Sequence, residues 1–357
     1  MSIEHMDNWA IYGGEADRLT DGVYIEKSLN GPVSDFFITD PDPLATGSVL
    51  RLYSNNQSAP GLLRYALAST QATVGMALRI WMVAIPNGPA ARPCVAYIAD
   101  NTNTLLAYVA VTPIGGLAVY NSAHTELANT NGPVLTANAW FHVETNVFFN
   151  GASSTVECRV EGAPVLTATG LSLGSTPGAQ VSLQVLHRNA LAGDNGRAYY
   201  KDVVVWNGAG TQNNNFLGSV VVYSILPNAD TTLGGWTSTG ANGFSVLDNA
   251  PPLDGTSYLS VGTPPQTASV FTLGDLPSDV TTVRAVMSQV RARKIDGGDG
   301  SLQVGMKSGA ATGLGANRPI TAAFTYWRDV FEIDPNTATP WTRVTVNAAS
   351  LQLNRTV

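Results

Sequence analysis

Trp140 to Leu166, WFHVETNVFFNGASSTVECRVEGAPVL, is the stretch that decides the fold. From Trp140 to Phe149 the odd positions Phe141, Val143, Thr145, Val147 and Phe149 share one face and His142, Glu144 and Asn146 the other. That two-residue period is the mark of a strand with one buried face. Asn150-Gly151 then supplies two residues that tolerate positive φ. Alternation resumes from Thr155 to Glu161, with Val156, Cys158 and Val160 inward and Glu157, Arg159 and Glu161 outward. The expectation is a hairpin with one wet face. Gly162 turns the chain into Ala163-Pro164-Val165-Leu166, where Pro164 is admissible at the start of a strand and not in a central ladder.

Similar patterns extend on both sides of the hairpin. Upstream, Asn8-Trp9-Ala10-Ile11-Tyr12 reads as a short strand, as does Phe36-Phe37-Ile38, and Leu50 and Leu52 are the core side of Ser48 to Tyr53. Leu78 to Ile85 is apolar on both faces, as a central strand is. Cys94 to Ala99 and Leu105 to Val111 are joined by the polar turn Asp100-Asn101-Thr102-Asn103, and Leu117 to Tyr120 continues the meander. Val181, Leu183 and Val185 alternate with polar neighbours, and Tyr200 to Trp206 closes the series. More than ten short strands predict two packed sheets.

Asn207 to Asn215, NGAGTQNNN, has no apolar residue larger than Ala and marks a boundary. A chain of 357 residues exceeds the size at which one core usually keeps growing. The expected division is residues 1–207, a linker at 208–215, and a second domain over 216–357. Eight strand candidates fall in that domain, a jelly-roll count: Val220 to Ile225, Phe244 to Leu247, Tyr258 to Val261, Val270 to Leu273, Val280 to Val290, Leu302 to Met306, Phe324 to Ile333 and Trp341 to Val346. The predicted fold class is all-β, two β-sandwich domains.

Charged residues make up only 13% of the chain, against roughly 25% in typical soluble domains, and no Glu/Lys/Arg-rich window suits an amphipathic helix. The formal charge of −7 argues against nucleic acid, whose phosphates need clustered Lys and Arg. The one basic cluster, Arg291-Ala292-Arg293-Lys294, reads as a solvated strand end before the Asp296 to Gly300 turn. No apolar run is long enough for membrane insertion, and no signal segment is evident at the N-terminus. Cys94 and Cys158 are too few for a disulfide scaffold. Cys158 reads as an inert buried thiol, with a bridge to Cys94 left open.

The Trp-started strand, its Asn-Gly turn, the alternating strand ending in Glu-Gly and the later YYKDVVVW at 199–206 resemble the closing half of a concanavalin A-like, laminin-G-like jelly roll. The stretches from YYKDVVVWNGAGTQNNNFLG through LPNADTTLGGWTSTG to DNAPPLDGTSYLSV, with the opening MDNWAIYGG, are similar to phage and prophage structural proteins of tail or virion-surface type. The resemblance implies a first domain of concanavalin A-like type. It also implies a non-enzymatic virion component of tail, spike or head surface that docks to other phage virion proteins, forms a homo-oligomer and is assembled in host cytoplasm.

Motifs of chemistry are sparse. Gly170-Leu171-Ser172-Leu173-Gly174 matches the nucleophile elbow formally, but Ser175-Thr176-Pro177-Gly178 cannot start the helix that the elbow requires. Glycoside hydrolysis needs two carboxylates roughly 5 to 9.5 Å apart. Glu157 and Glu161, with Arg159 between them, read as a solvated charge ladder, and Glu144 has no acidic neighbour at strand spacing. Asp40 with Asp42, Asp194 with Asn195, and Asp296 with Asp299 are candidate structural calcium ligands, though Asp-Gly and Asp-Pro pairs are ordinary turn formers. His5, His124, His142 and His187 are scattered without metal-ligand spacing. Trp236, Tyr326 and Trp327 are aromatics that could stack on sugar rings, with core packing the first reading for a tryptophan. The expectation is a protein with no catalytic residues and no cofactor. A lectin-like binder of host surface glycan is the alternative reading, and a glycoside hydrolase the third.

Overall fold

The structure, a computed structural model, describes residues 2–9, 12, 22–28, 37–39, 48–54, 61–86, 91–187, 196–249, 254–262 and 267–356. Through residue 207 the chain forms β1 (Ile3–Asp7), β2 (Glu26–Ser28), β3 (Phe37–Thr39), β4 (Ser48–Ser54), β5 (Gly61–Gln71), β6 (Thr73–Trp81), β7 (Ala91–Ala99) and β8 (Leu105–Val111). There follow β9 (Leu117–Asn121), β10 (Glu126–Asn129), β11 (Trp140–Phe148), β12 (Ser154–Val160), β13 (Ala163–Leu171), β14 (Gly178–His187) and β15 (Gly196–Asn207). They make two antiparallel sheets. The first runs β13-β12-β11-β6-β15-β4-β3 with β1 on β15, and the second β10-β9-β8-β7-β14-β5-β2.

The β11–β12 hairpin pairs from Val143 with Val160 to Phe148 with Thr155, and Gly151 takes φ +60° in its turn. Val143, Val147, Val156 and Cys158, with Leu50 and Leu52 of the same sheet, face the core between the sheets, opposite Leu63, Val109 and Leu183. Pro164 lies in β13, an edge strand, where its missing N–H costs no ladder bond. The other face of β11 is not wet, which corrects the expectation. His142 and Glu144 are fully buried, because residues 217–220 lie across them. Leu217 and Gly218 N–H donate to Glu144 Oε1 at 2.6 and 3.0 Å, and Val220 N–H donates to His142 Nε2 at 3.4 Å.

From residue 216 the elements are β16 (Pro227–Thr232), β17 (Thr237–Ser238), α1 (Phe244–Leu247), β18 (Leu259–Ser260), β19 (Ser269–Leu273) and β20 (Val286–Ala292). After these come β21 (Ser301–Ser308), β22 (Ala311–Leu314), β23 (Arg318–Pro319), β24 (Thr325–Phe331), α2 (Arg343–Asn347) and β25 (Ser350–Arg355). One sheet runs β16-β19-β25-β21-β22 with β23 on β21, and β17–β18 and β20–β24 form separate pairs. One face of the large sheet carries Phe271, Val304 and Leu353 against Val290 and Trp327 of the β20–β24 pair. The all-β, sandwich character expected from the sequence holds.

Asn8, Trp9 and Tyr12, expected in a strand, lie beyond β1, Trp9 with φ +67°, and of the expected strand Val280 to Val290 only the part from Val286 onward is one; three more expected strands are otherwise. Phe244–Leu247 is one helical turn. Arg343–Asn347 is a second, because Thr342 caps it and Thr345 completes a reciprocal capping box, leaving Trp341 buried beside Met306. Residues 220–225 pair with no strand among the described residues. Conversely β25, with Leu351 and Leu353 inward, was not among the expected strands.

The two halves are joined through β1. Ser2 and Ile3 N–H donate to the Glu332 carboxylate at 2.8 and 3.2 Å. Arg328 lies 3.5 Å from Asp7 Oδ2 and hydrogen-bonds the Tyr12 hydroxyl. Tyr326 enters the first core.

Candidate functional site

Of the first sandwich's two outer faces, that of the β1-containing sheet is already covered. Ile3, Ala77, Val204 and Trp206 on it pack against Leu217 and Val330. The outer face of the second sheet is built differently. On β14, Val181, Leu183 and Val185 point into the core, so Gln180, Ser182, Gln184 and Leu186 point outward.

Register then carries one outward residue per strand across the whole sheet. Glu26 pairs with Arg64, Arg64 with Ser182, Ser182 with Tyr97, Tyr97 with Tyr108, Tyr108 with Tyr120 and Tyr120 with Glu126. Side-chain contacts follow the same line. Arg64 Nη1 donates to Glu26 Oε2 at 2.6 Å and its Nε to Ser182 Oγ at 3.2 Å. The rings of Tyr97 and Tyr108 stack at 6.0 Å, those of Tyr108 and Tyr120 at 4.7 Å, and the Tyr120 hydroxyl donates to Glu126 Oε2 at 2.9 Å.

Because the tyrosine rings cover one another's faces, the row meets a ligand with ring edges and hydroxyls. His124 closes one end, its Nδ1 3.3 Å from the Tyr108 hydroxyl. It is held there by a tight turn in which Asn121 Oδ1 accepts from Thr125 N–H at 2.9 Å and His124 takes φ +62°. Alongside the row lie Gln184, Cys94, Ala110 and Ala118, also in register. Beside the three tyrosines stand three small side chains, none of them exposed. Arg92 spans that strip, with its guanidinium 5.1 Å from the Tyr120 ring and bonded to the Tyr120 hydroxyl.

Burial pushes the Tyr120 phenol well up, and its bond to Glu126 adds to this against the opposing charge of Arg92. Burial also raises Tyr97. Both stay protonated donors at neutral pH. The Cys94 thiol is raised in the same way and is inert as a nucleophile. Two acceptors lack partners: the side-chain oxygens of Gln180 and Gln184 are buried without a hydrogen bond, one on each side of Ser182. A buried acceptor without a donor is costly, and a molecule rich in hydroxyl groups would supply what the face lacks.

The residues singled out from sequence are mostly elsewhere. Ser172 is exposed on a turn after Gly170, which has φ +68°, and no helix follows it. Glu157 pairs with Arg159 at 2.8 Å, Glu161 Oε1 accepts from His142 N–H, and Arg159 lies 3.9 Å over the Phe216 ring. These are surface and joint contacts rather than an acid pair. Trp236 and Trp327 are half-buried against the second core and Tyr326 lies in the first, so packing holds all three.

Asp40, Asp42, Asp194 and Asn195 fall outside the described residues, as does the His187 side chain. Asp296 and Asp299 are exposed, and no group of three metal-ligating side chains occurs among the described residues. Cys94 and Cys158 are both free and buried, and burial pushes the Cys158 thiol up to about 12. Among the described histidine side chains His124 alone meets the tyrosine row; His5 and His142 lie at the joint between the halves.

The tyrosine row went unnoticed in the sequence, though its signal is there: Tyr97, Tyr108 and Tyr120 each sit at the outward parity of successive strands. A larger cavity, about 1020 Å³, runs between the halves along Leu217, Val222 and Val283. It wraps both sides of β20, and its lining carries polar and charged side chains, among them Asp254, Arg291, Ser288 and Gln289, the last two with buried oxygens that have no hydrogen bond.

No family model matches the chain, and no curated protein matches it in sequence. Among solved structures it is similar to the endo-β-1,4-glucuronan lyase of Trichoderma reesei, at 10% identity and TM-score 0.42, over 57% of this chain and 95% of that one. A family 7 alginate lyase in complex with substrate aligns at 17% identity and TM-score 0.38, over 55% and 96%. A carbohydrate-binding module from Bacillus subtilis aligns at 15% and 0.33, over 52% and 94%. At these values the likeness is one of fold. The expectation of a non-enzymatic chain is corrected on this finding, that the similar structures include polysaccharide lyases; that activity is theirs. That expectation weighed a serine nucleophile elbow and the paired carboxylates of glycoside hydrolysis, and no other cleavage chemistry.

Proposed function

We propose that the outer face of the β10-β9-β8-β7-β14-β5-β2 sheet binds a saccharide chain along the strip of small residues beside Tyr97, Tyr108 and Tyr120. What supports this is the row of Tyr97, Tyr108 and Tyr120 with Arg92 and Glu126 across one outer face, beside which the side-chain oxygens of Gln180 and Gln184 have no hydrogen bond. The tyrosine hydroxyls and Arg92 are donors for sugar oxygens. Within the same proposal, the resemblance read from the sequence supports a phage-type particle on which the chain docks to other virion proteins and turns this face toward a host surface glycan.

A polysaccharide array that includes bacterial capsular, uronate-rich and neutral glycans tests the reading, with Arg92→Ala as comparison. Binding by the wild-type protein and its loss in the variant, with folding intact by circular dichroism, is expected. Absence of binding to every class contradicts it.

One observation favours a second reading for the same face, cleavage of an acidic chain by elimination. An imidazole and a phenol meet at His124 and Tyr108 while a guanidinium lies across the same strip at Arg92. Those groups can hold a carboxylate and move a proton next to it. Appearance of the ultraviolet absorbance of an unsaturated uronate during incubation with the bound polysaccharide would select it, and intact polysaccharide would leave binding alone.

A further inference from the structure

We propose that the cavity beside β20, about 1020 Å³, is a slot for one extended segment of another protein, which pairs antiparallel with Val286–Ala292. Among the described residues β20 is paired on one side only, with β24. Every residue from Val286 to Ala292 lines the cavity. Successive side chains of a strand point to opposite faces, so a space that touches them all lies against the strand's edge. In an antiparallel pair alternate residues direct their N–H and C=O away from the partner. From Val286 to Val290 no group so directed has a hydrogen bond among the described residues. Ser288 Oγ and Gln289 Oε1, on opposite faces of the strand, are buried without a partner as well, while Val286, Met287 and Val290 are only half-buried although their strand lies between two apolar layers.

The dimensions and the chemistry of the space both suit a strand. At a rise of about 3.3 Å, a lateral spacing of about 4.8 Å and a depth of about 10 Å, one strand residue occupies roughly 160 Å³, so the cavity holds about six, close to the seven of β20. A polypeptide strand supplies backbone donors and acceptors along the open edge and side chains toward both walls. An acyl chain would fill the space and leave the edge unpaired. The walls then decide which strand fits. Leu302 and Leu353 of the large sheet stand on one side and Ile3 and Val204 of the first sandwich on the other, so the segment is apolar on both faces, as strands between two layers are. Just past the end of β20, Arg293 is exposed, rests 4.5 Å over the Phe324 ring and forms no ion pair among the described residues. Paired antiparallel, as β24 is, the segment brings its N-terminal end to Arg293, where an Asp or Glu completes the charge match. The slot goes beyond saccharide binding and shares no residue with that face, so either can fail alone.

Panning a displayed library of random heptapeptides on the full chain tests it. The expected result is enrichment of apolar, β-branched sequences with an acidic residue at the N-terminal end. On Arg293→Glu, altered only at an exposed side chain, the enriched end residue is expected to become basic. Hydrogen exchange in the free wild-type chain is expected to be fast at alternate amides of Val286–Ala292 and at least about tenfold slower there once the selected peptide, made synthetically, is bound. No enriched sequence, enrichment indifferent to Arg293→Glu, or unchanged exchange in β20 on binding would each overturn the proposal. So would full protection of β20 in the free chain, which would mean that the chain closes its own edge, or a two-chain mass that the peptide reduces to one, which would make the occupant a second copy. An apolar small molecule carried by the purified chain and not displaced by the peptide would overturn it too.

Discussion

At the scale of single residues, Gln184 and His142 show how burial gives meaning to positions that alternation alone leaves ambiguous. Both were legible as the polar side of a strand; neither was legible as buried, because what covers them comes from distant parts of the chain. His142 sits at the joint between the halves, and burial, with Arg79 nearby, lowers it to about 4. His5, buried beside Arg328, is lowered too. In the unfolded chain a histidine titrates near 6.5, so between that value and about 4 the unfolded state takes up protons that the folded state refuses. Stability is complete above about pH 6.5 and falls on acidification through that window, by on the order of 3 kcal/mol for His142. Urea unfolding across this range checks the sign. The variant His142→Gln, which keeps an acceptor for Val220 N–H, is expected to flatten the dependence, and an unchanged slope would contradict the assignment.

At the scale of elements, the sheets of the first half were readable because their strands obey a strict period of two, and because Asn150-Gly151 and Asp100 to Asn103 turn them where turns were expected. The second half was less so. Trp341 to Val346 has the apolar content of a strand, yet Thr342 and Thr345 satisfy the backbone as a helix cap, and the cap decides. The tyrosine row exists only as register across seven strands, information that no single segment contains.

Register also explains Gly75, opposite Trp206 on β15. A Cβ there would lie 1.9 Å from the indole of Trp206, a side chain with no exposure. Gly75→Ala is accordingly expected to destabilise the protein by about 3 kcal/mol, the upper end of overpacking. Chemical denaturation measures it, and a loss below about 0.5 kcal/mol, the ordinary range of surface substitutions, would mean that Trp206 moves aside freely.

At the scale of the molecule, the composition break at 207–215 is where the sequence suggests a division, but nothing there disclosed how the segments on either side engage. They share buried charge. Asp7 is 3% exposed and accepts from Trp9 N–H, Tyr12 and Tyr24, with Arg328 as its counter-charge from the second half. Arg328→Met strands that carboxylate and is expected to cost about 3 to 5 kcal/mol. Calorimetry should show both halves losing stability together. A shift confined to one of two separate transitions would mean that the joint contributes little.

The account as a whole rests on the saccharide face, and Gln184→Leu addresses it most directly. The substitution keeps the side chain's approximate volume and removes a buried oxygen that has no partner, so the melting temperature is expected to hold or rise. Isothermal titration with an oligosaccharide identified on the array should give an affinity at least about tenfold weaker than wild type, equivalent to roughly 1.4 kcal/mol. Equal affinity in the two proteins would contradict the claim that this face is where the glycan binds.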